Sequence, residues 1–334
     1  VSATGDDRHM AHALHLARRG LGNVWPNPAV GCVLIRDGRV VGRGWTQPGG
    51  RPHAERMALD QAGETARGAT AYVTLEPCAH HGRTPPCAEA LVASGVARVV
   101  SAMTDPDPRV AGRGHAILRA AGVEVVEGLR EAEARALQIG FLSRIQRGRP
   151  MLTLKLAESF DGRIATAGGE SQWITGAGAR AHVHAQRLTH DAVMVGGATA
   201  RQDRPGLNVR GFGEVRQPVR VIVSSAALPD LPAEGVGFGP LWQVSGDPAV
   251  MMADLGQRGL TRVFCEGGGV LAAALLRADL VDELIGYTAG LILGADARPA
   301  VAQMGLAALR DAPRFRLIET RQIGDDLFHR WHRA

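Results

Sequence analysis

Aromatic side chains are scarce: two Tyr, seven Phe and five Trp make up 4% of the 334 residues. That is too few for a platform on which successive nucleic-acid bases would stack. Cysteine is equally sparse. Cys32, Cys78, Cys87 and Cys265 are too few and too dispersed for the disulfide framework of a secreted chain, so reduced thiols or metal ligands are expected. No run of about 18 uninterrupted apolar residues occurs. Asp6, Asp7, Arg8, Arg18 and Arg19 crowd the first twenty positions, which argues against a membrane span or signal peptide and for a cytoplasmic chain. Lysine is nearly missing: Lys155 is the one Lys among 38 basic side chains, and the other 37 are Arg. Genomic codon composition accounts for such a bias, given that mixed usage is ordinary.

What is present fits a globular chain with two cores. It is 45% hydrophobic and 21% charged, and single domains usually run about 100–200 residues. The formal excess of +5 lies wholly before residue 150, where 19 Arg face 14 acids; beyond it 18 Arg and Lys155 face 19 acids. An excess this modest suits acidic small molecules and lacks the dense basic stripe of a duplex binder.

Residues 7–19 predict an amphipathic helix with Met10, Ala13, Leu14 and Ala17 on its apolar face, Asp6 or Asp7 as N-cap and Gly20 past its end. Strands are predicted over 29–35 and 39–45 around the hairpin turn Asp37-Gly38. Helices at about 53–62, 86–93, 111–121 and 131–146 then alternate with strands at 69–75, 97–103 and 123–128. This alternation predicts an α/β sandwich around a central sheet. Arg147-Gly148-Arg149-Pro150 marks a boundary between 1–147 and 151–334. The pattern then restarts, with strands at 152–159, 192–197, 219–224, 241–246 and 262–269 and helices at 177–189, 248–256 and 270–278. Segments near 283–292, 314–319 and 327–332 are expected as antiparallel strands, and 226–240, rich in Gly and Pro, as a surface loop.

Chemistry concentrates in Pro52-His53-Ala54-Glu55, Glu76-Pro77-Cys78 and Pro86-Cys87. One imidazole and two thiolates suit Zn²⁺, and three protein ligands leave the fourth tetrahedral position for a water. The metal lowers the pKa of that water to about 7. Glu55, two residues past His53, is placed to take its proton and hand it to a leaving group, provided the pair sits at a helix start, where residues i and i+2 can face one site. Both Cys precede or open helices, whose N-termini favour the thiolate. H-x-E followed by P-C and a second Cys is the pattern of zinc nucleobase deaminases, although eight residues separate the two Cys here instead of two. His80 and His81, inside that loop, are read as exposed or as substrate contacts before they are read as ligands.

These segments, with Pro26-Asn27-Pro28-Ala29-Val30-Gly31, TLEPCAHHGRTPPC (74–87) and DPDPRVAGRG (105–114), resemble the bifunctional deaminase/reductase family of riboflavin biosynthesis over residues 7–146. The resemblance implies a cytidine-deaminase-like three-layer α/β/α domain, zinc on His53, Cys78 and Cys87, Glu55 as proton shuttle, and Asn27 against the pyrimidine. It also implies hydrolytic loss of the 2-amino group of a diamino-pyrimidinone ribosylamine 5′-phosphate.

In the second half, Gly267-Gly268-Gly269 between a strand and a helix lets backbone N–H groups approach a phosphate. Alone, such a turn is weak evidence. With SFDGRIATAGGESQWIT (159–175), VGGATARQDRP (195–205) and LNVR (207–210), it resembles the reductase half of the same family, similar in fold to dihydrofolate reductase. The resemblance implies NADPH against Ala157, Trp173, Thr199, Asp203, Ser225 and the run Gly268, Gly269, Val270, Leu271, Ala272, Ala273 and Ala274. It implies substrate against Ser171, Arg187, Leu207, Arg210 and Glu266, with the two Arg gripping the 5′-phosphate. Hydride would reduce the ribosyl group to ribityl.

One departure is Arg204, where the family usually has a second acid after Asp203. Lys155, beside Ala157, marks a place where a compact ammonium fits and a planar guanidinium does not. The expected partner is a small phosphorylated pyrimidine, with no nucleic acid and no membrane, and the resemblance implies a homo-oligomer. Two rivals remain: a nucleoside or nucleic-acid deaminase with an appended nucleotide-sensing domain, and a zinc-stabilised binding protein without catalysis.

Overall fold

In the computed structural model, which describes residues 3–81, 85–107 and 111–334, the opening apolar stripe becomes α1 (Ala3–Ala17) and buries Met10, Ala13, Leu14 and Ala17. Gly82 to Thr84 and Pro108 to Val110, parts of two of the motifs above, lie outside the described residues. The helix begins earlier than its sequence implies, so Asp6 and Asp7 are internal and do not cap it. Asp6 instead accepts from Tyr72 (2.5 Å) and Arg98 (3.1 Å), and Asp7 accepts from Arg130 (2.7 Å). Side-chain partners elsewhere in the fold outcompeted the local cap.

The chain forms two compact units, 1–148 and 149–334. In the first, β1 (Gly31–Arg36) and β2 (Arg39–Trp45) pair antiparallel around Asp37 and Gly38, both at positive φ (50° and 73°) as a type I′ turn requires. Then follow α2 (Ala54–Ala62), β3 (Thr70–Val73), α3 (Cys87–Ala93), β4 (Arg98–Ser101), α4 (Arg113–Ala120), β5 (Glu124–Glu127), α5 (Glu131–Leu137) and α6 (Ile139–Arg147). The last two were expected as one helix. The break falls at Gln138, which is buried and donates to Ala29 O at 2.6 Å.

Sheet order is β2-β1-β3-β4-β5, with β3, β4 and β5 parallel. A Cβ at Gly31 would overlap Ala13 O of α1, whereas one at Gly44 would overlap Ala54 O of α2. Gly44 pairs with Cys32, the neighbour of Gly31, and successive strand residues face opposite sides, so α1 and α2 cover opposite faces. The result is three layers. Glycine at 42 and 44 lets α2 lie directly on β2, and this close approach sets the height of the α2 N-terminus over the sheet edge. Val33, Leu34, Tyr72, Leu91, Val99, Val100 and Leu118 are among the residues filling the core.

The second unit runs β6 (Met151–Ser159), β7 (Arg163–Ala165), α7 (Ala177–Leu188), β8 (Ala192–Gly196), α8 (Gly197–Asp203), β9 (Val219–Val223), β10 (Leu241–Val244), α9 (Pro248–Gln257), β11 (Arg262–Gly267), α10 (Gly269–Arg277), β12 (Glu283–Ala289), β13 (Arg298–Pro299), β14 (Phe315–Ile323) and β15 (Asp326–Arg333). Eight strands form one sheet in the order β10-β9-β8-β11-β6-β12-β15-β14. Its first six members are mutually parallel. All three closing strands have the antiparallel neighbour expected of them, β15 pairing with both β12 and β14, while β12 is in addition parallel to β6. The sequence reading missed α8 and the short β7–β13 pair. Among the described residues no helix is long and apolar enough to cross a membrane.

Candidate active sites

The first site is a cavity of about 400 Å³ in the first unit, lined by residues that include Asn27, Arg51, His53, Glu55, Cys78, His80, Asp105 and Asp107. His53 is the N-cap of α2 in an extended conformation (φ −70°, ψ 160°), and Glu55 occupies the first turn. This is why residues only two apart reach one place. Cys87 opens α3 after Pro86. Cys78 lies in the loop before it, and its sulfur accepts from the Cys87 backbone N–H at 3.3 Å, so the α3 N-terminus serves the thiol that does not belong to it.

The donor set fits a tetrahedral ion. His53 Nδ1 is 3.3 Å from Cys87 Sγ and 3.6 Å from Cys78 Sγ, and all three ligand atoms lie within 4.8 Å of one another. Zinc bonds of about 2.0–2.3 Å at tetrahedral angles place N and S about 3.5 Å apart. His80 and His81 are exposed and contribute no ligand atom to this group, and His81 instead lies 3.4 Å from Glu89. Hydrogen bonds from Cys87, then His53, hold the Cys78 thiol down at about 4. Glu55 is 4% exposed; burial, then the Cys78 charge, push it up to about 7. Asn27 is fixed where Gly50, at φ 87°, leaves no room for a Cβ against its amide.

The second site is a cavity of about 770 Å³ in the second unit. It opens beside Lys155 to Ala157 of β6, Val195 of β8 and Glu266 of β11, toward the carboxyl ends of parallel strands, where α/β sheets bind ligands. Of the residues singled out from sequence, Ala157, Ser171, Trp173, Arg187, Thr199, Asp203, Leu207, Arg210, Glu266 and Gly268 line it. Ser225 is exposed and Gly269 to Ala274 form α10, with Val270 76% exposed and Leu271, Ala272 and Ala273 in the core, so none of these is part of the lining. Arg204 also lines the cavity, in a left-handed conformation (φ 42°) at the end of α8.

Arg187 is already engaged. Its Nε and Nη2 donate to the two oxygens of Glu266 (2.5 and 2.9 Å) and its Nη1 to Asn208 O (2.6 Å). Lys155 Nζ lies 3.9 Å from Glu266 Oε2, at 14% side-chain exposure. Burial lowers the pKa of Lys155, and the Glu266 charge opposes that shift. The sequence reading did not assign roles to Arg180, whose guanidinium stacks 4.6 Å over Trp173, or to His184, which accepts from Arg210 N at 3.2 Å. Nothing in local pattern marks either one, since both lie on α7 at positions an ordinary amphipathic helix could fill.

Lys155→Arg is expected to slow any reduction at this site by about 10-fold, the equivalent of about 1.4 kcal/mol, since a longer planar guanidinium cannot take the place of the ammonium beside Glu266. Steady-state NADPH oxidation reads the effect, and a wild-type rate would show that the lone lysine reflects composition only.

Comparison with known proteins bears on each unit in turn. Residues 3–103 match the cytidine and deoxycytidylate deaminase zinc-binding region, and residues 150–329 match the RibD C-terminal domain. The riboflavin biosynthesis protein RibD of Escherichia coli (strain K12) is 44% identical, with 96% of this chain and 98% of that protein aligned. The structure of Acinetobacter baumannii RibD superposes with a TM-score of 0.90 at 40% identity, covering 99% of both chains. A diaminohydroxyphosphoribosylaminopyrimidine deaminase/5-amino-6-(5-phosphoribosylamino)uracil reductase from Thermotoga maritima does so at 0.87 and 33%, again covering 99% of both. The chain belongs to the RibD family of bifunctional riboflavin biosynthesis enzymes, with a zinc-dependent deaminase in its first half and an NADPH-dependent reductase in its second.

Proposed function

We propose that residues 1–147 deaminate 2,5-diamino-6-ribosylamino-4(3H)-pyrimidinone 5′-phosphate and that residues 151–334 reduce the ribosyl group of the product to ribityl. The observation that carries this reading is the convergence of His53, Cys78 and Cys87 at zinc-ligand separations with Glu55 buried beside them. His53, Cys78 and Cys87 would hold the zinc, which when bound activates water as a Lewis acid. Asn27 orients the pyrimidine in the cavity wall. Glu55 accepts a proton from the attacking water and returns it to the departing amino nitrogen, which leaves as ammonia.

In the second cavity Ala157, Trp173, Thr199, Asp203 and Gly268 would hold NADPH, which supplies a hydride when bound. Ser171, Leu207 and Arg210 hold the substrate. Arg187, committed to Glu266 and Asn208, orients that carboxylate and leaves Arg210 as the main phosphate contact. On this reading the chain acts in the cytoplasm as a homo-oligomer on small phosphorylated pyrimidines, without nucleic-acid or membrane partners.

The decisive experiment supplies purified protein with NADPH and either the deaminated phosphorylated intermediate or its dephosphorylated analogue. NADPH oxidation is expected with the first only, and chelating the zinc is expected to stop ammonia release from the diamino substrate without slowing that oxidation. Equal turnover of the dephosphorylated analogue would refute the phosphate contact.

A further inference from the structure

One carboxylate of the first unit is buried, has no ion-pair partner among the described residues, and is bound four times by main chain. Glu76 is 4% exposed. Its Oε2 accepts from Asp105 N (3.0 Å) and Gly112 N (2.9 Å), and its Oε1 accepts from Gly114 N (2.8 Å) and His115 N (3.4 Å). The donors lie 29 to 39 residues away in sequence, so Glu76 staples the strand-end segment that carries Cys78 to the loop leading into α4. The fit is close: Gly112 turns into α4 at φ 76°, and a Cβ at Gly114 would overlap Pro77 O and press on Glu76 Oε1 at 3.2 Å.

The stapled loop carries Asp105 and Asp107, which line the same cavity as His53, Glu55 and Cys78. Asp107 N donates to Asp105 Oδ1 at 2.9 Å, so holding the backbone of Asp105 also sets Asp107. Beyond it, His115 Nε2 meets Ser101 Oγ at 2.9 Å, a second anchor for α4, while its Nδ1 lies 3.0 Å from Glu127 Oε2 without forming a hydrogen bond.

We propose that Glu76 is a positioning residue of the deaminase site: by holding the backbone of Asp105 against that of Gly112, Gly114 and His115 it makes Asp105 and Asp107 present to substrate in the cavity beside the metal ligands. The proposal rests on the deaminase reading of that cavity. A carboxylate suits this task because each oxygen accepts two amides. The amide of Gln has one oxygen, and its NH₂ would face two N–H donors.

The test compares Glu76→Gln and Glu76→Asp with the wild type in the full chain. Four quantities are measured: zinc per chain, deaminase KM and kcat, reductase rate on the deaminated intermediate, and amide hydrogen exchange at Asp105, Gly112 and Gly114. For Glu76→Gln the expected result is unchanged zinc and reductase rate and faster exchange at those three amides. KM is expected to rise on the order of 10-fold or more with a smaller change in kcat, since one pair of buried amides loses its acceptor and meets an NH₂ group instead. Glu76→Asp, which keeps both oxygens, is expected to fall between Gln and wild type. Unchanged KM and exchange, or loss of zinc alongside activity, would overturn the proposal. If Glu76→Gln does not fold, Glu76→Asp alone decides, by whether exchange at the three amides and KM move together. Absence of ammonia release from the wild type would sink the deaminase reading instead, and the exchange data would still say whether Glu76 holds the loop.

Discussion

Glu55→Gln is expected to keep one zinc per chain and to release ammonia about 100- to 10,000-fold more slowly, the range attributable to a positioned general acid–base. The zinc should stay because Glu55 is not in the ligand group, and Gln keeps the volume and polarity of a side chain that is 4% exposed. The rate should fall because an amide at this position cannot accept a proton from water. Burial and the Cys78 charge raise the carboxyl to about 7, while the charge of a bound divalent cation acts in the opposite direction. A carboxyl poised near neutral pH can both take a proton and release it again. Ammonia release together with metal content checks the prediction; a deaminase rate equal to wild type would remove Glu55 from the mechanism.

The second large effect is expected at Glu266. Burial alone would raise its pKa, but the charges of Arg187 and Lys155 outweigh that and hold it at about 2. Glu266→Gln leaves a guanidinium and an ammonium in an interior with 11% and 14% side-chain exposure and no opposing charge, a defect that typically costs about 3–5 kcal/mol. Reduction should be lost as well, since the carboxylate that lines the cavity and that Arg187 orients would be gone. The pH dependence has a definite sign. A carboxylate whose folded pKa is depressed contributes its full stability above the unfolded value of about 4.3 and loses it as pH falls through about 2. Wild type should thus lose about 3 kcal/mol of second-unit stability across that window, and Glu266→Gln should lose less. Chemical denaturation of both proteins at pH 7 and at pH 3, where about half of that loss has occurred, measures this. Equal stability at pH 7 would show that the pair is neutral to the fold.

Charge composition placed the whole +5 excess in the first half, but net charge is a poor guide to where arginines gather around a cavity. The cavity of the formally neutral second half is lined by Arg180, Arg187, Arg204 and Arg210. One of these, Arg187, is neutralised by Glu266, and another, Arg180, lies over Trp173. Sequence alone presented Arg187 as a phosphate clamp. Only the fold shows its fork turned onto a carboxylate 79 residues away.

The metal site was legible because its ligands sit at local punctuation marks: a helix start after Pro52, a turn after Pro77, and a helix start after Pro86. Spacing of that kind survives in a linear reading. The hairpin at Asp37-Gly38 was legible for the same reason, since φ signs are set by neighbouring atoms. Glu76 was not legible, although it stands inside a quoted motif, because its four partners come from residues 105 to 115 and no local rule brings them near. That β12 also pairs in parallel with β6 was not legible on similar grounds: a strand's own residues set its pleat, while its partner decides parallel or antiparallel. By itself, then, the sequence pointed to the His53, Cys78 and Cys87 group that the fold draws together, to a division of the chain near residue 148 and to the Asp37-Gly38 turn. Tertiary structure decided which charges face ligand and which face each other, because desolvation and pairing depend on neighbours that only the completed fold supplies.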